Sequence, residues 1–250
     1  EYNQKTLLIK DINRSINDRQ QEYHMAATKL ESLRNLSERY EGYGQSIKSI
    51  MQKRSEFRGI EGVVADLIST EAGYETAVET ALGGAIQNIV TDTEDTAKRI
   101  IGYLKKNKLG RATFLPLDAI KSRDSKEYEA ARNEKGVIGL ASEIVSCDGS
   151  YKDLVNYLLG RTLVADSIDS ALLIARKYGH RLRIVTLQGE LLLPGGSISG
   201  GAFKNNSNLL GRQRELSELK QQTRSILEKI DALNEQLVNA EKEASRITSE

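Results

Sequence analysis

The 250-residue chain reads as a mixed α/β (α+β) domain of two similar lobes, inserted between helical arms that pair as an intramolecular antiparallel coiled coil. Three observations predict this class. Apolar residues recur at alternating steps of three and four near both ends. The middle is rich in Gly, Val, Ile and Ala, and that middle repeats itself.

The first arm occupies residues 1–50. Its stripe is Ile9, Ile12, Ile16, Arg19, Tyr23, Ala26, Leu30, Leu33, Ser37 and Tyr40, apolar apart from Arg19 and Ser37. A sustained 3,4 spacing aligns these side chains on one face, the seam of a coiled coil. An amphipathic helix on a globular surface is the alternative. Gly42 and Gly44 end the pattern.

The globular part spans residues 51–208, with lobe one at about 57–117, a polar linker with some helix at 118–135, and lobe two at about 136–203. In lobe one, Val63 to Ile68 reads as a strand or buried segment and Tyr74 to Leu82 as a helix. Strand-like Ile86 to Thr91, helical Thr93 to Lys108 and strand-like Ala112 to Leu115 follow. The pattern then recurs. Gly62-Val63-Val64-Ala65-Asp66-Leu67-Ile68 aligns with Gly139-Leu140-Ala141-Ser142-Glu143-Ile144-Val145, and the same separation relates Tyr74 to Tyr151 and Leu82-Gly83 to Leu159-Gly160. After a short deletion Val90-Thr91-Asp92 aligns with Val164-Ala165-Asp166, and a helix and a strand at Leu182 to Leu187 complete the second copy.

The stretch Gly189 to Gly201 follows, with an apolar run at Leu191 to Leu193. Glycines in this density mark a tight turn, a ligand cradle or a place where two chains meet, because a residue without Cβ allows positive φ and close backbone approach. The second arm, 209–250, carries Leu216, Leu219, Thr223, Ile226, Ile230, Leu233, Leu237, Ala240, Ala244 and Ile247 at the same spacing. Each arm is about 60 Å long at 1.5 Å per residue. Arms of matching length on both sides of one domain bury their stripes by pairing with each other; separate intermolecular pairing is the alternative.

The composition excludes several classes. Net charge is +1, so a nucleic-acid partner must rest on local clusters. Cys147 is the only cysteine, which excludes an intramolecular disulfide and a cysteine-rich metal site and fits a reducing compartment. No apolar run approaches a membrane span. The start at Glu1 and ends that fall within heptads read as a piece of a longer protein. No phosphate-binding loop of the G-x-x-x-x-G-K-[ST] type is present, and Ser197, Ser199, His24 and His180 lack the neighbours that nucleophilic or metal chemistry needs. The basic clusters carry more. Thr96 to Arg111 holds Lys98, Arg99, Lys105, Lys106, Lys108 and Arg111 with no acid, and Ser170 to Gln188 holds Arg176, Lys177, Arg181 and Arg183 with no acid. Lys204, Arg212 and Arg214 lie where the second arm begins. Such groups neutralise phosphates without reading sequence; the bland reading is dipole complementation at helix C-termini. The DNA-binding candidates are Lys105, Lys106, Lys108, Arg111, Arg176, Lys177, Lys204 and Arg212.

Coiled-coil arm, glycine-bearing domain, coiled-coil arm: this order resembles the hinge region of the structural maintenance of chromosomes (SMC) proteins. Gly189, Gly196 and Gly200-Gly201 reproduce the G-x6-G-x3-G-G spacing of that hinge, and Arg111-Ala112-Thr113-Phe114-Leu115-Pro116 and Leu193-Pro194-Gly195-Gly196 resemble bacterial members. The resemblance implies a homodimer whose protomers pair strand edges at the glycines, with Gly189, Leu191, Leu193, Gly195, Gly196, Gly200 and Gly201 at the interface. It also implies sequence-independent DNA binding, with single strands preferred by several members. The family's ATPase heads, with their ATP and Mg and the accessory subunits, would lie at the far ends of the arms, leaving this piece without cofactor, metal or enzymatic activity of its own. A cytoplasmic, nucleoid-associated setting in chromosome condensation and segregation follows from the same resemblance. The related zinc-hook repair ATPase requires a C-x-x-C that a single cysteine cannot supply. A phosphate- or small-ligand-binding domain inserted in a coiled coil remains the alternative.

Overall fold

The computed structural model describes residues 2–122, 126–201 and 208–249. Two compact units emerge, Glu1–Ser37 with Glu215–Glu250, and Glu38–Arg214.

The first unit pairs α1 (Tyr2–Glu38) with the greater part of α9 (Leu209–Ser249). Ala26 packs with Leu219, Ile226 and Ile230, flanked by Tyr23, Leu30 and Leu33. Ile12 and Ile16 pack with Ala240, flanked by Ile9, Leu233 and Leu237. Contacts that rise along one helix and fall along the other make the pair antiparallel. The 3,4 stripes of both arms are the buried faces, as the coiled-coil seam requires. At the ends of the seam Lys5 pairs with Glu243, and Lys29 with Glu215 at 2.5 Å. Thr223, a polar residue in the seam, satisfies its hydroxyl on the Leu219 carbonyl of its own helix at 2.9 Å.

In the second unit, α2 (Gln45–Met51) buries Ile50 and Met51, and lobe one follows. Its order is β1 (Ile60–Val63), α3 (Val64–Leu67), β2 (Ile68–Thr70), α4 (Glu75–Leu82), β3 (Ile89–Thr91), α5 (Glu94–Lys106) and β4 (Phe114–Pro116). The expected single segment Val63 to Ile68 is therefore broken by one helical turn. The Asp66 carboxylate reaches back to the Val63 amide, closing that turn, and Val64 donates to the Asn88 carbonyl at 3.0 Å. Lobe two repeats the order with β5 (Val137–Leu140), β6 (Val145–Cys147), α7 (Lys152–Leu159), β7 (Leu163–Ala165), α8 (Ile168–Lys177) and β8 (Ile184–Thr186). Here Glu143 occupies the place of Asp66, and its carboxylate accepts from the Leu140 amide at 3.0 Å.

The repeat extends to local devices. Both edge strands bulge, at Ile60/Gly62 and Val137/Gly139. Gly59 (φ +92°) and Gly136 (φ +88°) each accept from the amide of the aspartate ending the neighbouring strand, Asp92 and Asp166, at 2.9 Å. A Cβ at Gly59 would collide with the Asp92 carboxylate, and one at Gly136 with the Ser170 side chain. Thr93 and Ser167 then cap their helices by accepting from Thr96 and Ser170.

Sheet one runs β1-β3-β4. Sheet two runs β5-β7-β8 and gains two further strands, β9 (Leu191–Leu192) and β10 (Ile198–Ser199). Antiparallel β2 and β6 form a ribbon linking the lobes, with Ser69 opposite Ser146. One core crosses that ribbon. It joins Val63, Val78, Ile89 and Ile100 of lobe one to Leu154, Leu159, Val164 and Val185 of lobe two. A second cluster lies on the other face of sheet two, where α6 (Lys126–Ala131) of the polar 118–135 segment contributes Tyr128 and Ala131. That segment is more than a linker: the Tyr128 hydroxyl accepts from the Arg183 amide at 3.2 Å.

The first turn of α9 belongs to this unit. Leu209 and Leu210 are buried in the shared core. Asn208 accepts from the Gly211 amide, and Glu79 from the Leu210 amide, each at 2.8 Å. Arg212 donates to the Glu41 carbonyl at 2.8 Å, Gln213 to Asp66 at 2.9 Å, and Arg214 pairs with Glu75. Burial pushes the Glu79 carboxyl up, and the amides of Leu210 and Leu209 pull it back down. A carboxylate at a helix N-terminus meets both free amides and the positive dipole end.

Two stability predictions follow from this packing. Ile226→Ala removes a buried seam contact and costs about 2–4 kcal/mol of arm stability, read from the helical signal under urea. Glu79→Ala orphans the Leu210 amide and costs about 1–3 kcal/mol, whereas Glu79→Gln, which keeps an acceptor, loses clearly less in the same titration.

Candidate dimerisation interface

The glycine stretch folds as a hairpin on the outer side of sheet two. A turn from Thr186 to Gly189 starts it, with the Gly189 amide on the Thr186 carbonyl at 3.0 Å and Gly189 at φ +90°. The Glu190 amide donates to the Thr186 hydroxyl at 3.1 Å, and that hydroxyl donates to the Glu190 carboxylate. β9 then runs antiparallel to β8, with Leu192 opposite Ile184 and Leu191 opposite Val185. Leu192 is buried, Leu191 packs against the shared core, and Leu193 is exposed.

The turn from Pro194 to Ser197 reverses the chain. Gly195 and Gly196 both sit at φ +94°, a region that L side chains avoid. The Leu193 amide donates to the Ser197 carbonyl at 2.9 Å and the Gly196 amide to Leu193 at 3.0 Å. The Gly195 amide donates to the His180 carbonyl at 2.8 Å, tying the turn to the end of α8. A phosphate cradle needs free amides pointing at the ligand. Here the amides of both glycines are spent inside the protomer, which removes the basis for the ligand reading. No group of three or more His, Cys, Asp or Glu residues placed for a metal occurs among the described residues. Cys147 is half-buried, and burial pushes its thiol up, away from the nucleophilic thiolate.

β10 lies antiparallel to β9, with Ile198 opposite Leu192 and Ser199 opposite Leu191, and it is the last strand of its sheet. Ile198 is 54% exposed, and Ser199, Gly200 and Gly201 are exposed with it. The glycines here differ in kind. Gly189, Gly195, Gly196 and Gly201 have positive φ, which the two turns themselves require of the first three. Gly200 does not. A Cβ there would meet only the Glu190 side chain, Cγ at 3.0 Å and Cβ at 3.6 Å, a tight contact that a shift of a few tenths of an ångström relieves. The protomer thus makes little demand for glycine at 200, although the position is exposed at a sheet edge. Sequence reasoning passed over Ile198, the one apolar side chain at this edge; its signal was a large apolar residue isolated between small ones.

β4, an outer strand of sheet one, is open as well, whereas β1 and β5, the edges at the opposite ends of the two sheets, are bulged. The repeat shows what is missing at β4. β4 corresponds to β8, which β9 covers, whereas among the described residues no strand covers β4.

The basic candidates separate into two groups. Lys105, Lys106, Lys108 and Arg111 are exposed and enter no ion pair among the described residues. Arg176 is exposed as well, at the end of α8. Lys177, however, is bound to Glu134 at 2.6 Å, Arg181 lies 3.4 Å from Glu127, and Arg183 donates to the Ala81 carbonyl at 2.8 Å. Arg212 is half-buried on the Glu41 carbonyl. Lys204 lies outside the described residues. The two clusters that look equivalent in sequence are therefore unlike in structure: lobe two spends most of its bases internally.

A two-lobed α/β domain with exposed sheet edges, set between antiparallel coiled-coil arms, defines a coiled-coil hinge module. The comparisons place it. The model of the SMC proteins flexible hinge domain matches residues 57–175. The crystal structure of an asymmetric dimer of the Geobacillus stearothermophilus SMC hinge domain superposes with a TM-score of 0.91 at 34% identity, covering 98% of this chain and 100% of that one. The Pyrococcus furiosus SMC protein hinge domain matches at 32% identity and a TM-score of 0.53, over 76% of this chain and 92% of that one. The chromosome partition protein Smc of Bacillus subtilis is 39% identical over 94% of this chain. The chain belongs to the SMC hinge family, as a bacterial-type hinge with its flanking helices, and it spans about a fifth (20%) of the length of that Bacillus relative.

The contrast between the glycines is testable in the protomer. Gly195→Ala forces an L side chain into the left-handed region and costs about 1–2 kcal/mol. Gly200→Ala stays within about 0.5 kcal/mol of the parent. Denaturant unfolding at high dilution checks both.

Proposed function

We propose that this chain is the homodimerisation hinge of a chromosome-partitioning SMC ATPase, joining two coiled-coil arms into a ring that embraces DNA. The observation that carries the reading is the pair of open strand edges, β10 on lobe two and β4 on lobe one. An unpaired edge presents a row of backbone donors and acceptors to any second strand. Under a two-fold axis, β10 of one protomer continues the partner's sheet at β4, and the reciprocal pair forms by symmetry. Both sheets are then extended. The interface residues in this reading are Gly189, Leu191, Leu193, Gly195, Gly196, Gly200 and Gly201, with Ile198 supplying exposed apolar surface and Gly200 allowing close backbone approach. The Geobacillus hinge, described as an asymmetric dimer, supports dimerisation of the hinge.

In the whole protein, ATP and Mg bind at heads beyond the arms, where accessory subunits also attach, and the hinge itself binds no cofactor. DNA contact at the hinge is sequence-independent, made by exposed bases on phosphates and favouring single strands. Among the described residues no helix is long and apolar enough to cross a membrane, in keeping with a place in the cytoplasm on the nucleoid.

The test is the mass in solution of an edge variant. Ile198→Lys combined with Gly200→Lys puts like charges and bulk into the edge, and the expected product is a folded monomer with an unchanged circular dichroism spectrum. A variant that dimerises as tightly as the parent overturns the interface.

A further inference from the structure

The outer face of α5 shows a feature that the dimer does not use. Gly102 lies in the middle of this helix, and a Cβ built there would meet nothing within 4 Å. Glycine is a poor residue for a helix interior, because it leaves more backbone freedom to be lost than any other. Interior glycines are normally explained by a neighbouring element that needs the space. Among the described residues no such neighbour is present at Gly102.

What flanks it is basic. At 100° per residue, Lys98 and Arg99 on one side and Lys105 and Lys106 on the other all project within about 60° of the Gly102 direction. All four are exposed, and none enters an ion pair among the described residues. The two pairs are separated by about 10 Å along the axis. Arg99 is held in place by its Nη2 donation to the Arg58 carbonyl at 2.7 Å, and a guanidinium has further N–H groups to offer. Asp95 shares the stripe one turn before Lys98 and marks its N-terminal end. The C-terminal end continues through exposed Lys108 and Arg111.

The repeat supplies an internal control. Aligned on the caps Thr93 and Ser167, α8 places Leu172 and Leu173 where α5 has Lys98 and Arg99, and Arg176 where α5 has Gly102. Its remaining base, Lys177, is occupied by Glu134. Dipole complementation at a helix end explains two bases in the last turn of either helix. It does not explain Lys98 and Arg99 in the middle, nor the glycine between the pairs.

We infer that the α5 outer face of lobe one is a phosphate-backbone site for nucleic acid, with Gly102 as the notch that lets a sugar-phosphate strand lie against the helix between the Lys98/Arg99 and Lys105/Lys106 pairs. The inference rests on the proposed DNA binding of this hinge and assigns it to one lobe. A close-lying flexible strand suits a narrow notch on a convex helix better than a rigid duplex, so the single strand is the tighter ligand.

The experiment measures binding of fluorescein-labelled oligothymidylate by anisotropy across a salt series, with a duplex of the same length beside it. Gly102→Gln changes no charge and improves helix propensity, so the thermal midpoint should hold or rise. Single-strand affinity should nevertheless fall several-fold at every salt concentration, with the salt slope kept. Lys105→Gln with Lys106→Gln should lower the slope of log affinity against log salt by about 1.4, at roughly 0.7 per single-strand phosphate. Arg176→Gln in lobe two should leave both unchanged. If the parent binds and the α5 variants bind equally well, the site is wrong and the DNA reading stands elsewhere on the chain. If the parent does not bind at low salt, the DNA reading itself fails and this site with it. Tighter binding of duplex than of single strand, with Gly102→Gln without effect, overturns the notch.

Discussion

A β-strand hydrogen-bonded on one side only carries unsatisfied backbone groups along its other side, and water satisfies them at no gain. Both sheets of this domain end that way, at β10 and at β4. Natural edges are usually blunted by charges, proline or a covering element. β10 has none of these. It offers Ile198, Ser199 and Gly200 and is two residues long, too short to stand without the hairpin beneath it. That hairpin depends in turn on the positive-φ glycines of its two turns and on the tie from Gly195 to His180. The glycine spacing is thus a single device in which Gly189, Gly195 and Gly196 build the edge and Gly200 keeps it accessible.

The two lobes share a scheme down to their bulges, their helix caps and the carboxylates of Asp66 and Glu143 that fold back onto strand amides. Their differences fall where function is proposed. Lobe two adds the hairpin and takes α6 onto its outer face. Lobe one leaves β4 open, keeps its bases unspent and receives the first turn of α9. That turn is fastened by Glu79, Glu75, Asp66 and the Glu41 carbonyl.

Much of this was legible in the residues. The 3,4 stripes name the buried faces of α1 and α9 because a constant period admits only one seam. The internal repeat is visible because the bulge and cap positions demand Gly, Thr, Ser and Asp at set places. The break at α3 was not, since an apolar run from Val63 to Ile68 has no period of its own and the turn is closed by Asp66. The basic clusters looked alike because nothing local marks Glu134 as the partner of Lys177. Tyr128 and Ala131 were hidden in a polar segment whose overall composition outweighs two buried side chains. The glycines read as one class because spacing cannot separate a φ requirement from a need for space.

The central claim is that β10 and β4 are free in the protomer and paired in the dimer. Residue-resolved amide hydrogen exchange, followed above and below the concentration at which the chain dissociates, tests it directly. The account predicts that the amides of Ile198 and Phe114 gain protection together on association, while that of Ser199, which faces Leu191 of β9, and those of β7, flanked by strands on both sides, stay unchanged. Association that leaves Ile198 and Phe114 exchanging as in the monomer would contradict it.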